Sequence, residues 1–191
     1  MKKIVIYLIV TVFAASAIFY SCAKKVEKEN QIAKAKKSLF TTVVGTIENS
    51  NGNPEMTIPF EEAVALIKNN NKLVDKEYSY SYTEAWIATL TNNDGSKDYY
   101  LASRADVFNQ NGENVYGCYT HYFKLMKDKG DLIFSPGGGT QHTCTGSCCS
   151  SCELQPADES HPAPWCKCQT PANTPDCQGK ARCDHSVTIE M

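Results

Sequence analysis

The sequence predicts an α+β fold: a small, mostly antiparallel sheet with one packed helix, followed by an irregular, disulfide-rich C-terminal tail. Three observations lead there. Residues 78 to 135 alternate strand-like runs with Asn/Asp/Gly turn clusters. A single stretch, residues 60 to 67, carries an apolar stripe of helical period. Beyond Pro136 the chain holds eight of its ten cysteines and few large apolar side chains.

Taken in order, Phe40 to Ile47 is rich in β-branched residues and reads as a strand. Asn49 to Pro54 is a turn cluster. The helix follows: Pro59 suits a first turn, Glu61 and Glu62 complement the positive N-terminus, and Asn69-Asn70-Asn71 ends it. Phe60, Ala63, Val64 and Ile67 share one face, which must be buried against a neighbour. Glu84 to Thr91 and Lys97 to Ser103 flank Asn92 to Ser96, where Asp94-Gly95 marks a hairpin turn. A second turn at Asn109 to Gly112 leads to a long return strand, Asn114 to Leu125. The turn Lys127 to Gly130 and a short strand, Asp131 to Ser135, close the meander.

Pro136-Gly137-Gly138-Gly139 reads as a hinge, and no Gly-Lys-Ser/Thr follows to make it a phosphate loop. The expected organisation is a leader over 1–21, a polar tether over 22–38, an α+β domain over 39–136, and the hinge with its cysteine-rich tail over 137–191.

The formal charge of −2 conceals an asymmetry. Lys24 to Lys37 carries six lysines against two glutamates, whereas the rest of the chain from Ser38 carries 11 basic against 19 acidic residues. An acidic body repels phosphate backbones, which argues against nucleic acid as a partner. The basic stretch reads as a solvated tether, or as a segment lying near anionic headgroups.

Met1-Lys2-Lys3 is followed by Ile4 to Tyr20 without a charge, a positive n-region before an apolar core. The segment ends Phe19-Tyr20-Ser21-Cys22. That ending resembles a bacterial lipobox, with Tyr20 standing where a small residue is usual. The resemblance implies cleavage before Cys22, lipidation of its sulfur and acylation of the new amino group. It implies an exported lipoprotein in the cell membrane or outer membrane, facing the periplasm or the surface. Ala23 is not the aspartate that retains many such proteins in the inner membrane of enteric bacteria. Two alternatives stand beside it. Ala15-Ser16-Ala17 fits ordinary signal peptidase, which would release a chain beginning at Ile18; an uncut segment would be a short membrane anchor.

The tail cysteines are Cys144, Cys148, Cys149, Cys152, Cys166, Cys168, Cys177 and Cys183. A segment this poor in Leu, Ile, Val and Phe cannot close a core by burial alone, so cross-links or a metal must hold it. Export favours disulfides. Eight cysteines give four bridges, whose pairing the sequence leaves open among 105 possibilities. Cys148 and Cys149 should have different partners, because bridging neighbours is strained. Cys118, alone in a strand, is either a small buried core residue or the end of a bridge from sheet to tail.

The alternative is a zinc or copper site. Cys149-x-x-Cys152 precedes Cys166-x-Cys168 by 13 residues, and His142-x-Cys144 and Cys183-x-His185 add mixed ligands. A thiol-redox reading would rest on Cys149 and Cys152, but a thioredoxin-type pair needs a helix N-terminus that this proline- and serine-rich context does not offer. Tyr78, Tyr80, Tyr82 and Trp86 alternate along a strand and would share a face. That face could dock an envelope protein or a glycan, or simply pack across strands. His121 reads as a packed sheet histidine and His161 as a loop residue. No catalytic constellation is apparent. The expected role is therefore non-enzymatic binding at the cell envelope, with no cofactor unless the metal reading holds.

Overall fold

A computed structural model describes residues 41–47, 52–71, 73, 75–136, 139–171, 177 and 180–189. The leader, Cys22 and the tether lie outside the described residues. Among those described, no helix is long and apolar enough to cross a membrane. The helix, α1 (Phe60–Asn70), buries Ala63, Val64 and Ile67, the stripe expected from the sequence. Its first turn carries Glu61 and Glu62 and its last turn Lys68, so charge follows the helix dipole at both ends.

The strands are β1 (Thr42–Ile47), β2 (Pro54–Met56), β3 (Ser79–Thr91), β4 (Lys97–Phe108), β5 (Cys118–Lys124), β6 (Met126–Asp128), β7 (Asp131–Phe134), β8 (Thr140–Ser147), β9 (Cys149–Gln155), β10 (Trp165–Pro171) and β11 (Arg182–Ile189). All pairings are antiparallel. A central sheet runs β11-β8-β5-β4-β3, a second runs β2-β1-β7-β6, and β9 pairs with β10 as a separate hairpin. The β3–β4 turn contains Gly95 at φ +80°, the left-handed conformation that the Asp-Gly signal anticipates.

The C-terminal segment departs from expectation. It is built of four strands rather than irregular chain, and two of them, β8 and β11, extend the central sheet. From Thr42 onward the described residues belong to one compact unit. The cause is pairing. Backbone groups of β5 need partners along the edge that β4 leaves open, and β8 supplies them from Cys118↔Gly146 to Phe123↔Gln141. Gly137 and Gly138 of the proposed hinge lie outside the described residues.

The central sheet is covered on both faces. On one, Tyr99, Leu101 and Phe123 pack against Ala63 and Ile67 of α1 and against Val44, Leu132 and Phe134 of the second sheet. On the other, Tyr100, Ala102, Cys118, Tyr122 and Cys144 meet Cys149, Cys152, Leu154 and Cys166 of the β9–β10 hairpin. This second core is unusual in that half of its ten buried residues are cysteines.

His121 sits on the helix-covered face, fully buried, with Thr143 Oγ1 at 3.1 Å from its Nδ1 and the Phe123 ring 4.6 Å away. Burial holds its pKa down at about 3, with nearby His142 adding to the effect. His142, on the opposite face, is held at about 4, again mainly by burial. An unfolded chain takes up these protons near pH 6.5, whereas the folded chain resists until the lower values. Stability is therefore complete above pH 6.5 and falls as the pH drops through that window. Each histidine contributes a slope of up to about 1.4 kcal/mol per pH unit. Urea denaturation at pH 7, 5.5 and 4 should show this loss, and His121→Gln should flatten the dependence. An unchanged slope in that variant would assign the acid sensitivity elsewhere.

Candidate metal centre

All eight tail cysteines are bridged: Cys144–Cys166, Cys148–Cys177, Cys149–Cys168 and Cys152–Cys183. Cys148 and Cys149 do take different partners. Cys118 is the free cysteine among the described residues, and it is buried. Cys149 and Cys152 both lie on strand β9 and are bridged to different residues, so they do not form the helix-capped dithiol a thioredoxin-type site requires.

The bridges bring sulfur together in one place. The Sγ atoms of Cys118, Cys149, Cys152 and Cys183 all lie within 4.8 Å of one another, and those of Cys149 and Cys183, from different bridges, touch at 3.8 Å. Three strands supply the four cysteines: Cys118 on β5, Cys149 and Cys152 on β9, Cys183 on β11.

Glycine makes the space. Gly146 on β8 stands directly opposite both Cys118 and Cys183 across the ladder, so the three occupy one row. A Cβ at Gly146 would lie 2.5 Å from Cys118 Sγ and 2.8 Å from Cys152 Sγ. One at Gly117 would lie 2.6 Å from the Cys149 carbonyl oxygen. Both glycines are there for close approach of β9, whose position is fixed further by the Thr120 hydroxyl donating to the Cys152 carbonyl at 3.2 Å. Burial pushes the Cys118 thiol pKa up; backbone hydrogen bonds at Cys152 and Gly146 and the charge of Arg104 oppose this in part.

The ligand set expected from sequence is only partly assembled. Cys149, Cys152 and Cys183 belong to the cluster, and Cys118 joins them from the sheet. Cys144 and Cys166 are committed to a bridge outside it, and Cys168 is bonded to the cluster's Cys149 without being a member. His142 and His185 instead meet each other, rings stacked at 14° and Nδ1 to Nε2 at 2.9 Å. One imidazole donates to the other there, which requires at least one neutral ring.

The aromatic face expected from Tyr78, Tyr80, Tyr82 and Trp86 is divided. A β-bulge lies between Tyr82 and Glu84: Tyr82 pairs with Ala105, but Glu84 pairs with Arg104. One extra residue reverses every later side chain in the strand. Tyr78, Tyr80 and Tyr82 thus pack with Val107 and Tyr119 on the helix-covered face. Trp86 turns to the other face, beneath Arg104, whose guanidinium stands 5.7 Å from its ring and pairs with Glu84 at 3.0 Å. There it lines a cleft of about 430 Å³ with Tyr100, Tyr122 and Leu154.

No protein-family model matches the chain, and no curated protein or solved structure is significantly similar to it. The sulfur cluster is the most distinctive chemistry on the described surface or interior, and its geometry depends on Gly146. Replacing Gly146 with alanine should lower stability by about 1–3 kcal/mol, the usual range for overpacking a core. Chemical denaturation measures this, and a neutral variant would mean that the sulfurs are not held against β8.

Proposed function

We propose that this is an exported, lipid-anchored protein whose body binds a soft metal ion, zinc or copper(I), through Cys118, Cys149, Cys152 and Cys183. The observation that carries the reading is the convergence of four sulfurs within 4.8 Å of one another, two of which, Cys118 and Cys152, stand on the space left open by Gly146. In a tetrahedral thiolate site with metal–sulfur bonds of about 2.3 Å, ligand sulfurs stand about 3.8 Å apart. Cys149 and Cys183 already have that separation, no pair must close by more than about 1 Å, and the bonded Cys152 and Cys183 must part. Thiolates are the ligands soft ions prefer.

Three of the four sulfurs are in disulfides, so the site is filled only after Cys149–Cys168 and Cys152–Cys183 are reduced. A dithiol reductant supplies two electrons and two protons to each bridge, and the metal then displaces protons from the ligating thiols. Cys144–Cys166 and Cys148–Cys177 contribute no sulfur to the cluster, so the site does not require them to open. The reading is therefore of a two-form protein: cross-linked when oxidised, metal-loaded when those two bridges open. Four bridges suit an oxidising compartment, which supports export through the lipobox-like leader. Two or more acyl chains on Cys22 would suffice for stable attachment.

Reduced, desalted protein should retain a stoichiometric amount of zinc or copper(I), and added cobalt(II) should produce intense thiolate charge-transfer absorption. Changes outside the first coordination sphere weaken metal sites about 10–100-fold, so Cys118→Ser, which removes a ligand, should weaken retention at least that much. Failure to retain either ion above the level of the fully bridged protein would overturn the metal reading. The anchor is tested separately, by intact mass of the N-terminus from envelope fractions. An acylated Cys22 is expected; a soluble chain beginning at Ile18 would refute lipidation.

A further inference from the structure

We infer that Cys152 has two alternative partners, Cys183 and Cys118, and that the bridged protein interconverts between two disulfide isomers. The placement of Gly146 is the basis. Cys118 and Cys183 stand opposite it from the two neighbouring strands, one on each side. Cys152 lies over the gap where the Gly146 side chain would be, with its Sγ 2.8 Å from that vacant Cβ position and Cys118 Sγ 2.5 Å from it. The sulfurs of Cys118, Cys152 and Cys183 are mutually within 4.8 Å. Cys152 is thus flanked by two cysteines, one bonded to it and one a thiol. At Cys149, by contrast, it is the backbone carbonyl that approaches Gly146 and Gly117.

The step is a thiol–disulfide exchange. The deprotonated Cys118 sulfur attacks Cys152 Sγ and a Cys118–Cys152 bond forms. The Cys152–Cys183 bond breaks, its electron pair leaves on Cys183 sulfur, and the proton lost by Cys118 is taken up by Cys183. Each side holds one thiol and one disulfide, so no oxidant or reductant is consumed. Exchange does not depend on the metal reading, because it takes place in the bridged form without any ion.

The two isomers differ in what they present. With Cys152 joined to Cys183, the hairpin is tied to the edge strand β11 and the thiol is buried on β5. With Cys152 joined to Cys118, the hairpin is tied to the middle of the sheet, and the thiol moves to Cys183. That residue is half-buried on an edge strand, where an external thiol or disulfide can reach it. A protected thiol becomes a presented one, while β11 keeps its ladder with β8.

The test uses the oxidised full chain in a chelator, free of reductant. N-ethylmaleimide is added to the folded protein for increasing times, the protein is unfolded, and modified and bridged cysteines are mapped by peptide mass. The expected result is label accumulating at Cys183 in the folded state, with a Cys118–Cys152 peptide appearing in step. Label confined to Cys118 and seen only on unfolding overturns the proposal, as does label at Cys168, which would place exchange at the other bridge. Cys118→Ser should abolish labelling of Cys183. A second readout comes from Cys183→Ser: on unfolding, Cys118 and Cys152 should be found joined, leaving no thiol among Cys118 and the remaining tail cysteines. Two thiols at Cys118 and Cys152 in that variant overturn the proposal independently.

Discussion

The central sheet has two faces that must leave water, and the chain has conventional apolar material for only one. α1 and the second sheet cover the first with Val44, Ile67, Leu132 and Phe134. The second face is covered by a hairpin whose buried residues are Leu154 and four cysteines, Cys149, Cys152, Cys166 and the partly buried Cys168. Such a hairpin buries too little apolar surface to offset the entropy of ordering it. Covalent ties remove that entropy from the unfolded chain, and bridges of this kind contribute about 2–4 kcal/mol each. Cys144–Cys166 fastens β10 to β8, and Cys152–Cys183 fastens β9 to β11. Disulfides are the means by which one face of the sheet is closed.

Packing sulfur where a normal core has aliphatic carbon has a chemical consequence. Sulfurs used as filling lie in contact with one another, and sulfurs in contact can exchange partners or share a metal. Gly117 and Gly146 bring this about by letting β9 approach the sheet until sulfur meets backbone. Cys118 adds a buried thiol to a group of bridged sulfurs. The proposed metal loading and the inferred isomer exchange both rest on this crowding, the first requiring a reductant and the second none.

Much of the fold was legible because it is written in local pattern. The helix followed from Phe60, Ala63, Val64 and Ile67, and the β3–β4 hairpin from Asp94-Gly95; both sit where the pattern placed them. The aromatic stripe misled because the bulge at Thr83 leaves no sequence mark: nothing in Tyr-Thr-Glu shows that the strand gains a residue there. β8 to β11 were missed because their runs are rich in Cys, Ser, Thr and Gly, residues that equally suit irregular chain. Gln141-His142-Thr143-Cys144 lacks hydrophobic alternation since one side meets α1 and the other the sulfur core, each satisfied by small or polar groups.

What the sequence determined alone was the need for sulfur: a segment with eight cysteines and hardly a large apolar side chain has no other way to hold a shape. It also pointed to different partners for adjacent Cys148 and Cys149, since a bridge between neighbours is strained. Tertiary structure decided which cysteine meets which, and that Cys118, 26 residues before the first of the tail cysteines in the chain, belongs with them. The reason is that sulfur proximity here is set by strand register across β5, β8 and β11 and by two missing side chains at Gly117 and Gly146. Register is a long-range property, fixed only when the sheet assembles.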